Sequence, residues 1–346
     1  MLDFPITTFN KDVPLTKKDF SSSSEVRWCP GCGDYAILAT MQRFFPELNI
    51  PRENLVMVSG IGCAARFPYY METYGMHTVH GRAPAIATGL KLVRPELEVW
   101  VISGDGDSLS IGGNHTMHAL RRNVNINIML FNNEIYGLTK GQYSPASEKG
   151  KITKSSPFGS IDQPVNPAAF ALGSGSAFFA RTLDSNPKHM LEIFRRAHAH
   201  EGACYIEILQ NCVVFNDGAH AAASEKKTRA QNTLTLTHGE PMLYDDGKKG
   251  IGIDEETRMP LVLDLEADAS LKEKVLVHNE KDESGILAWT LAQMKHPDFP
   301  VPLGVFKAVE MPAYDTELVQ STEKLTNAKH KSLQDVFEAG DVWDVE

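Results

Sequence analysis

The sequence predicts an α/β fold, a doubly wound and mainly parallel sheet followed by a C-terminal extension. Three observations predict it. Between residues 26 and 218, apolar β-branched runs alternate with stretches of helical pattern, as they do when parallel strands are joined by helical crossovers. One run, Val99-Trp100-Val101-Ile102-Ser103, passes into Gly104-Asp105-Gly106-Asp107 and then into a segment, Ser108 to Arg122, that can be helical. Another, Ile126 to Phe131, delivers Asn132-Asn133 to the same sheet edge. Sheets of this kind bind ligands at the carboxyl ends of their strands.

Taken in order, residues 1–25 are polar, carry Ser21 to Ser24, and read as an N-terminal arm or linker able to wrap a partner. Residues 26–218 form the main domain. It opens on Trp28-Cys29-Pro30-Gly31-Cys32-Gly33, whose Pro and Gly bend the chain so that both sulfurs face one metal. A strand from Leu55 to Ser59 ends in the flexible turn Gly60-Ile61-Gly62-Cys63. The Ser/Pro/Lys-rich stretch from Tyr143 to Asn166 is expected to be a mobile loop and a lid over the site. Pro187 starts an amphipathic helix, followed by the strand Ala203 to Leu209. Cys204 lies inside that strand as a small buried hydrophobe, and Cys212 lies just past it. Residues 219–346 form the extension. A hairpin unit is expected from His238 to Leu265, then short elements at Leu271–Val277 and Gly285–Met294, and a charged, partly helical end.

The strand, Gly turn and helix start bring free N–H groups together, which suits an anion. An aspartate there would repel bare phosphate. A Mg²⁺ ion resolves the conflict, because a hard cation takes carboxylate, carbonyl and phosphate oxygens together. The turn cysteines fit four thiolates on one zinc or one iron–sulfur cluster. The odd count of five cysteines and their low density argue against a secreted disulfide scaffold. His115 and His118 share a helix face but have no ligand partner at metal spacing. No apolar run approaches 18 residues, so no membrane span is expected. A net charge of −10 with no basic stripe argues against nucleic acid.

Gly104-Asp105-Gly106 with Asn132-Asn133 resembles the diphosphate-binding motif of thiamine diphosphate (TPP) enzymes. That resemblance implies a TPP-binding fold of the diphosphate-binding type, with Mg²⁺ on Asp105, Asn133 and the backbone oxygen of Ile135. With the cysteines included, residues 28 to 216 resemble the β subunit of the 2-oxoacid:ferredoxin oxidoreductases, most closely the 2-oxoglutarate branch. The blocks that carry it are the two cysteine turns, His80-Gly81-Arg82-Ala83, the Asn132 to Gln142 run, and Asn211-Cys212-Val213-Val214-Phe215-Asn216.

The resemblance implies one [4Fe–4S] cluster on Cys29, Cys32, Cys63 and Cys212. It implies that Gly62, Cys63 and His80 line the cofactor, and that Gly106, Asp107, Leu138 and Thr139 contact the diphosphate or neighbouring atoms. The implied reaction is CoA-linked oxidative decarboxylation of 2-oxoglutarate, with electrons leaving to ferredoxin. A distal substrate carboxylate needs a cation, and the resemblance supports Arg66 and Lys140 in that role. Pyruvate or a branched-chain 2-oxoacid is the alternative substrate, and a zinc-stabilised structural subunit is the alternative of another class. No second Gly-Asp-Gly unit occurs, so the glutamate that pairs with the cofactor's pyrimidine is expected from an α subunit, in a dimer of αβ pairs. Reduced cysteines and oxygen-sensitive chemistry place the protein in the cytoplasm.

Overall fold

Eight strands build the main sheet of the computed structural model, which describes residues 14–329, 332–341 and 343. The first seven in chain order are β1 (Leu55–Ser59), β2 (Tyr74–His77), β3 (Glu98–Gly104), β4 (Asn127–Asn132), β5 (Phe178–Leu183), β6 (Cys204–Leu209) and β7 (Thr233–Leu236). A separate antiparallel sheet follows, made of β8 (Leu243–Tyr244), β9 (Lys249–Ile253) and β10 (Pro260–Asp264). The chain then returns to the main sheet as β11 (Val301–Ala308). The order is β2-β1-β3-β4-β6-β5-β11-β7, parallel throughout except where β11 runs against β5. Most of the expected N-terminal arm, residues 1–13, lies outside the described residues.

The helices are α1 (Asp34–Leu48), α2 (Ala83–Val93), α3 (Asp105–Leu109), α4 (Gly113–Arg121), α5 (Pro167–Gly173), α6 (Pro187–His198), α7 (Ala221–Ser224), α8 (Arg229–Asn232), α9 (Ile286–Gln293), α10 (Tyr314–Lys329) and α11 (Leu333–Phe337). Strand side chains alternate between faces. Val56, Val58, Val99, Val101, Ile128 and Leu130 therefore fill one core with α2, α4, α5 and α9. Met57, Trp100, Ile102, Met129, Phe131 and Ile206 fill the other with α1 and α6. There the Trp100 ring sits 5.7 Å from both Phe44 and Phe194, edge to face. The sheet is doubly wound because both faces are apolar.

Two local expectations are corrected. The helix read from Ser108 to Arg122 begins earlier, at Asp105, and breaks at Ser110–Gly112 into α3 and α4. Two consecutive glycines at 112 and 113 are the cause, since glycine is a poor helix former. The extension is tied into the main domain: β7 and β11 continue the main sheet, and Phe306 packs on Phe179 at 5.0 Å. Among the described residues no helix is long and apolar enough to cross a membrane.

Candidate cofactor and cluster site

The carboxyl ends of β1, β3 and β4 lie side by side, with Ser59 opposite Ile102 and Gly104 opposite Phe131 in register. The loops leaving these ends wall one cleft. The β1 loop contributes Gly62 and Cys63, and the loop before α2 contributes His80. Gly104, Asp105, Gly106 and Asp107 form its floor. After β4 come Asn133, Ile135, Leu138 and Thr139. Residues scattered over more than seventy positions of sequence thus face one space.

Asp105 is buried, and burial pushes its carboxyl up to about 7. Its Oδ2 accepts from Ser144. A buried carboxyl with no cation beside it is where a metal ion would restore the charged form. Asn133 has its amide fixed: Nδ2 donates to Gln210 Oε1 at 2.7 Å, and Oδ1 accepts from the Ile135 N–H at 3.2 Å. A lone pair of Oδ1 remains for a cation. The two asparagines divide their work. Asn132 turns to the far side and donates to Glu207, which is paired with Arg181 at 2.7 Å, both buried.

Asp107 lines the cleft, and its carboxylate is taken up by protein donors. It accepts from Ser103 Oγ at 2.7 Å, His80 Nδ1 at 2.8 Å and Gly81 N at 2.9 Å. It clasps the end of β3 to the loop before α2. Gly106 is required by close approach, since a Cβ there would lie 2.1 Å from Tyr136 Cε1. Tyr136 Oη donates to the Gly106 carbonyl at 2.9 Å and closes that turn.

The cysteine turns converge beside the cleft. Trp28 Nε1 donates to the Cys63 carbonyl at 2.8 Å, and Gly33 N donates to the Asn211 carbonyl at 3.2 Å. These bonds tie the Cys29/Cys32 knuckle to the turns bearing Cys63 and Cys212. A Cβ on Gly137 would sit 3.6 Å from the sulfurs of both Cys63 and Cys212, so a bare glycine of the cleft wall lies against these two thiols. Burial, then the nearby Asp34 carboxyl, raises the Cys32 thiol, and the same causes push Cys63 up to about 12. Among the described residues no three His, Cys, Asp or Glu side chains gather closely enough for one metal ion. A polynuclear cluster spreads its thiolates over a wider cage, and four turn cysteines in one neighbourhood fit that requirement. Cys204 is fully buried in β6 and donates to the Ala197 carbonyl at 3.3 Å, outside this group.

Arg66 faces a second cleft of about 400 Å³ that shares Ile61, Gly62 and Leu138 with the first. Its Nε donates to Tyr70 Oη at 3.1 Å, which leaves the guanidinium edge free to meet an anion. Lys140 follows Thr139 on the wall, but it is exposed and lines neither cleft. The loop expected to be a lid is braced where it starts. Ser144 binds Asp105, Ser147 donates to the Glu134 carbonyl, and Val165 N donates to the Pro145 carbonyl at 2.8 Å. Ser144, Gln210 and Tyr136 were not singled out as site residues in the sequence. Each acts through a fold-dependent contact, and only Tyr136, inside the Asn132 to Gln142 run, left a trace.

Residues 60–208 match the family model described as "Thiamine pyrophosphate enzyme, C-terminal TPP binding domain". Over 99% of its length the chain is 47% identical to 2-oxoglutarate oxidoreductase subunit KorB of Mycobacterium tuberculosis, of which it covers 93%. It is also 47% identical, over 55% of its length and 60% of the relative's, to the β subunit of 2-oxoacid:ferredoxin oxidoreductase 1 of Aeropyrum pernix. Among solved structures it superposes with a TM-score of 0.74 and 32% identity on 2-oxoglutarate:ferredoxin oxidoreductase from Magnetococcus marinus. That structure holds 2-oxoglutarate, coenzyme A and succinyl-CoA, and the match covers 94% of this chain and 97% of that one.

Proposed function

The chain belongs to the 2-oxoacid:ferredoxin oxidoreductase β subunits, on the 2-oxoglutarate branch, and from that premise we propose that it is the TPP- and cluster-bearing half of an enzyme converting 2-oxoglutarate and coenzyme A to succinyl-CoA and carbon dioxide. Asp105, Asn133 and the Ile135 carbonyl would hold Mg²⁺ and through it the diphosphate. Cys29, Cys32, Cys63 and Cys212 would hold a [4Fe–4S] cluster. When bound, TPP supplies carbanion stabilisation and the cluster accepts electrons singly. Arg66, in the adjoining cleft, would meet the distal carboxylate of 2-oxoglutarate. Lys140 would need the partner's surface to bring it near substrate.

The observation that carries this reading is the shared wall. Gly137 belongs to the loop that encloses the cleft, and it also abuts two candidate cluster sulfurs. Electrons leaving substrate would therefore have a short exit. The diphosphate cleft is only about 60 Å³, whereas pockets that bury a whole organic cofactor run to roughly 300–1,000 Å³. A second surface would complete it. The proposal assigns that surface to an α subunit carrying the pyrimidine-side glutamate, with ferredoxin as the electron acceptor.

The test is coexpression with the α subunit and assay of the purified complex on individual 2-oxoacids. The expected complex is brown, with a broad band near ~400 nm, contains TPP, and turns over 2-oxoglutarate faster than pyruvate or branched-chain acids. A colourless complex with stoichiometric zinc would overturn the reading, and a preference for pyruvate would overturn the substrate assignment alone.

A further inference from the structure

One buried side chain touches both halves of the candidate site. We infer that Gln210 is a positioning residue that orients Asn133 toward the metal with one end of its amide and tunes the cluster through Cys32 with the other. The inference rests on the cofactor and cluster reading above.

Gln210 directly follows β6 and is fully buried. Its Nε2 donates to the Asn211 carbonyl at 2.6 Å and to Cys32 Sγ at 3.3 Å. Its Oε1 accepts from Asn133 Nδ2 at 2.7 Å. The orientation follows from chemistry. A backbone carbonyl only accepts, so the nitrogen end must face Asn211, and Cys32 lies on that same side. The other end is then oxygen and requires a donor. Only the nitrogen of the Asn133 amide supplies one, which leaves Asn133 Oδ1 turned to the Ile135 N–H. One carbonyl thus fixes the flip of two amides in series. The register holds the bridge in place, because Gln210 N itself donates to the Asn132 carbonyl at 3.0 Å.

Each end has a separate consequence. An N–H aimed at a ligand sulfur stabilises the electron-richer, reduced cluster, and hydrogen bonds to sulfur are a principal control of cluster potential. Removing the outer hydrogen-bond partner of a metal ligand weakens metal binding by about 10–100-fold. A single substitution should therefore move two readouts that have no chemistry in common.

The test is Gln210→Met in the assembled complex, since methionine keeps the length and loses both donor and acceptor. Iron content and α-subunit recovery are measured first. The cluster midpoint potential, from an EPR-monitored redox titration, is expected to become more negative. The apparent Mg²⁺ dissociation constant for TPP retention is expected to rise about tenfold or more. Gln42→Met is the control, a buried glutamine bonded to the Tyr70 carbonyl and to neither a candidate cluster cysteine nor Asn133. Wild-type values for potential and Mg²⁺ affinity at full iron content would overturn the inference, as would equal shifts in the control. Should the variant not assemble, pulsed EPR on the unmutated complex carrying glutamine labelled at its amide nitrogen decides. A nitrogen coupling at the reduced cluster is expected, and its absence overturns the bridge. A complex without iron would instead overturn the underlying reading, and iron analysis separates that case before any potential is measured.

Discussion

At Asp105 burial and charge disagree sharply. Burial pushes its carboxyl up to about 7 in the metal-free chain, so near neutrality a proton and a cation compete for it. The sign follows directly. A carboxyl raised above its unfolded value makes the metal-free fold less stable as pH rises from about 4 to about 7, and bound Mg²⁺ removes that cost. Apparent Mg²⁺ affinity should fall by up to about tenfold per pH unit below about 7. Asp105→Asn should lose both the affinity and its slope. Calorimetric titration of the complex at several pH values checks this, and a flat profile for the wild type would count against the ligand assignment. The cysteines divide in the same way. Cys29→Ser should cost roughly half or more of the bound iron, whereas Cys204→Ser, deep in β6, should leave iron content unchanged.

At the scale of elements, the turn between β3 and α3 depends on close packing. Gly106→Ala would drive a methyl into the Tyr136 ring, and overpacking of this kind costs about 1–3 kcal/mol. Urea unfolding should show that loss together with weaker TPP retention, and an unchanged midpoint would contradict the packing argument. The same region shows what could be read in advance. The apolar run of β3, the Gly turn and the Asn pair after β4 are local patterns, and the sequence displays them openly. The start of α6 at Pro187 and the small antiparallel sheet after His238 were equally legible. The direction of the Asp107 carboxylate was not, because its partners come from β3 and from the loop before α2, up to 27 residues away. Gln210 was invisible for the same reason: its bond to Asn133 spans 77 residues and leaves no periodic trace. The break between α3 and α4 could have been read from Gly112-Gly113 but was masked by the helical pattern around it.

Across the whole molecule, the antiparallel entry of β11 beside β5 ties the extension to the catalytic half. Leu303, Val305 and Phe306 are buried, and burying such side chains contributes about 1.5–3 kcal/mol each. A chain ending at residue 218 would leave β5 as a bare apolar edge. Such a truncation should be insoluble or molten, and a soluble fragment with cooperative unfolding would show instead that residues 26–218 stand alone. At the opposite edge β2 is exposed along its whole length, with Tyr74 and Met76 uncovered. It borders the cleft that holds Arg66 through their shared residue His77, so the α subunit is expected to cover it.

The central claim is that one chain holds a metal-anchored TPP beside the cluster that empties it of electrons. Anaerobic addition of 2-oxoglutarate and CoA to the isolated αβ complex, followed near ~400 nm, tests this most directly. Wild type should bleach as the cluster is reduced. Asp105→Ala should not, although dithionite still bleaches it. Equal bleaching of both by substrate would contradict the account.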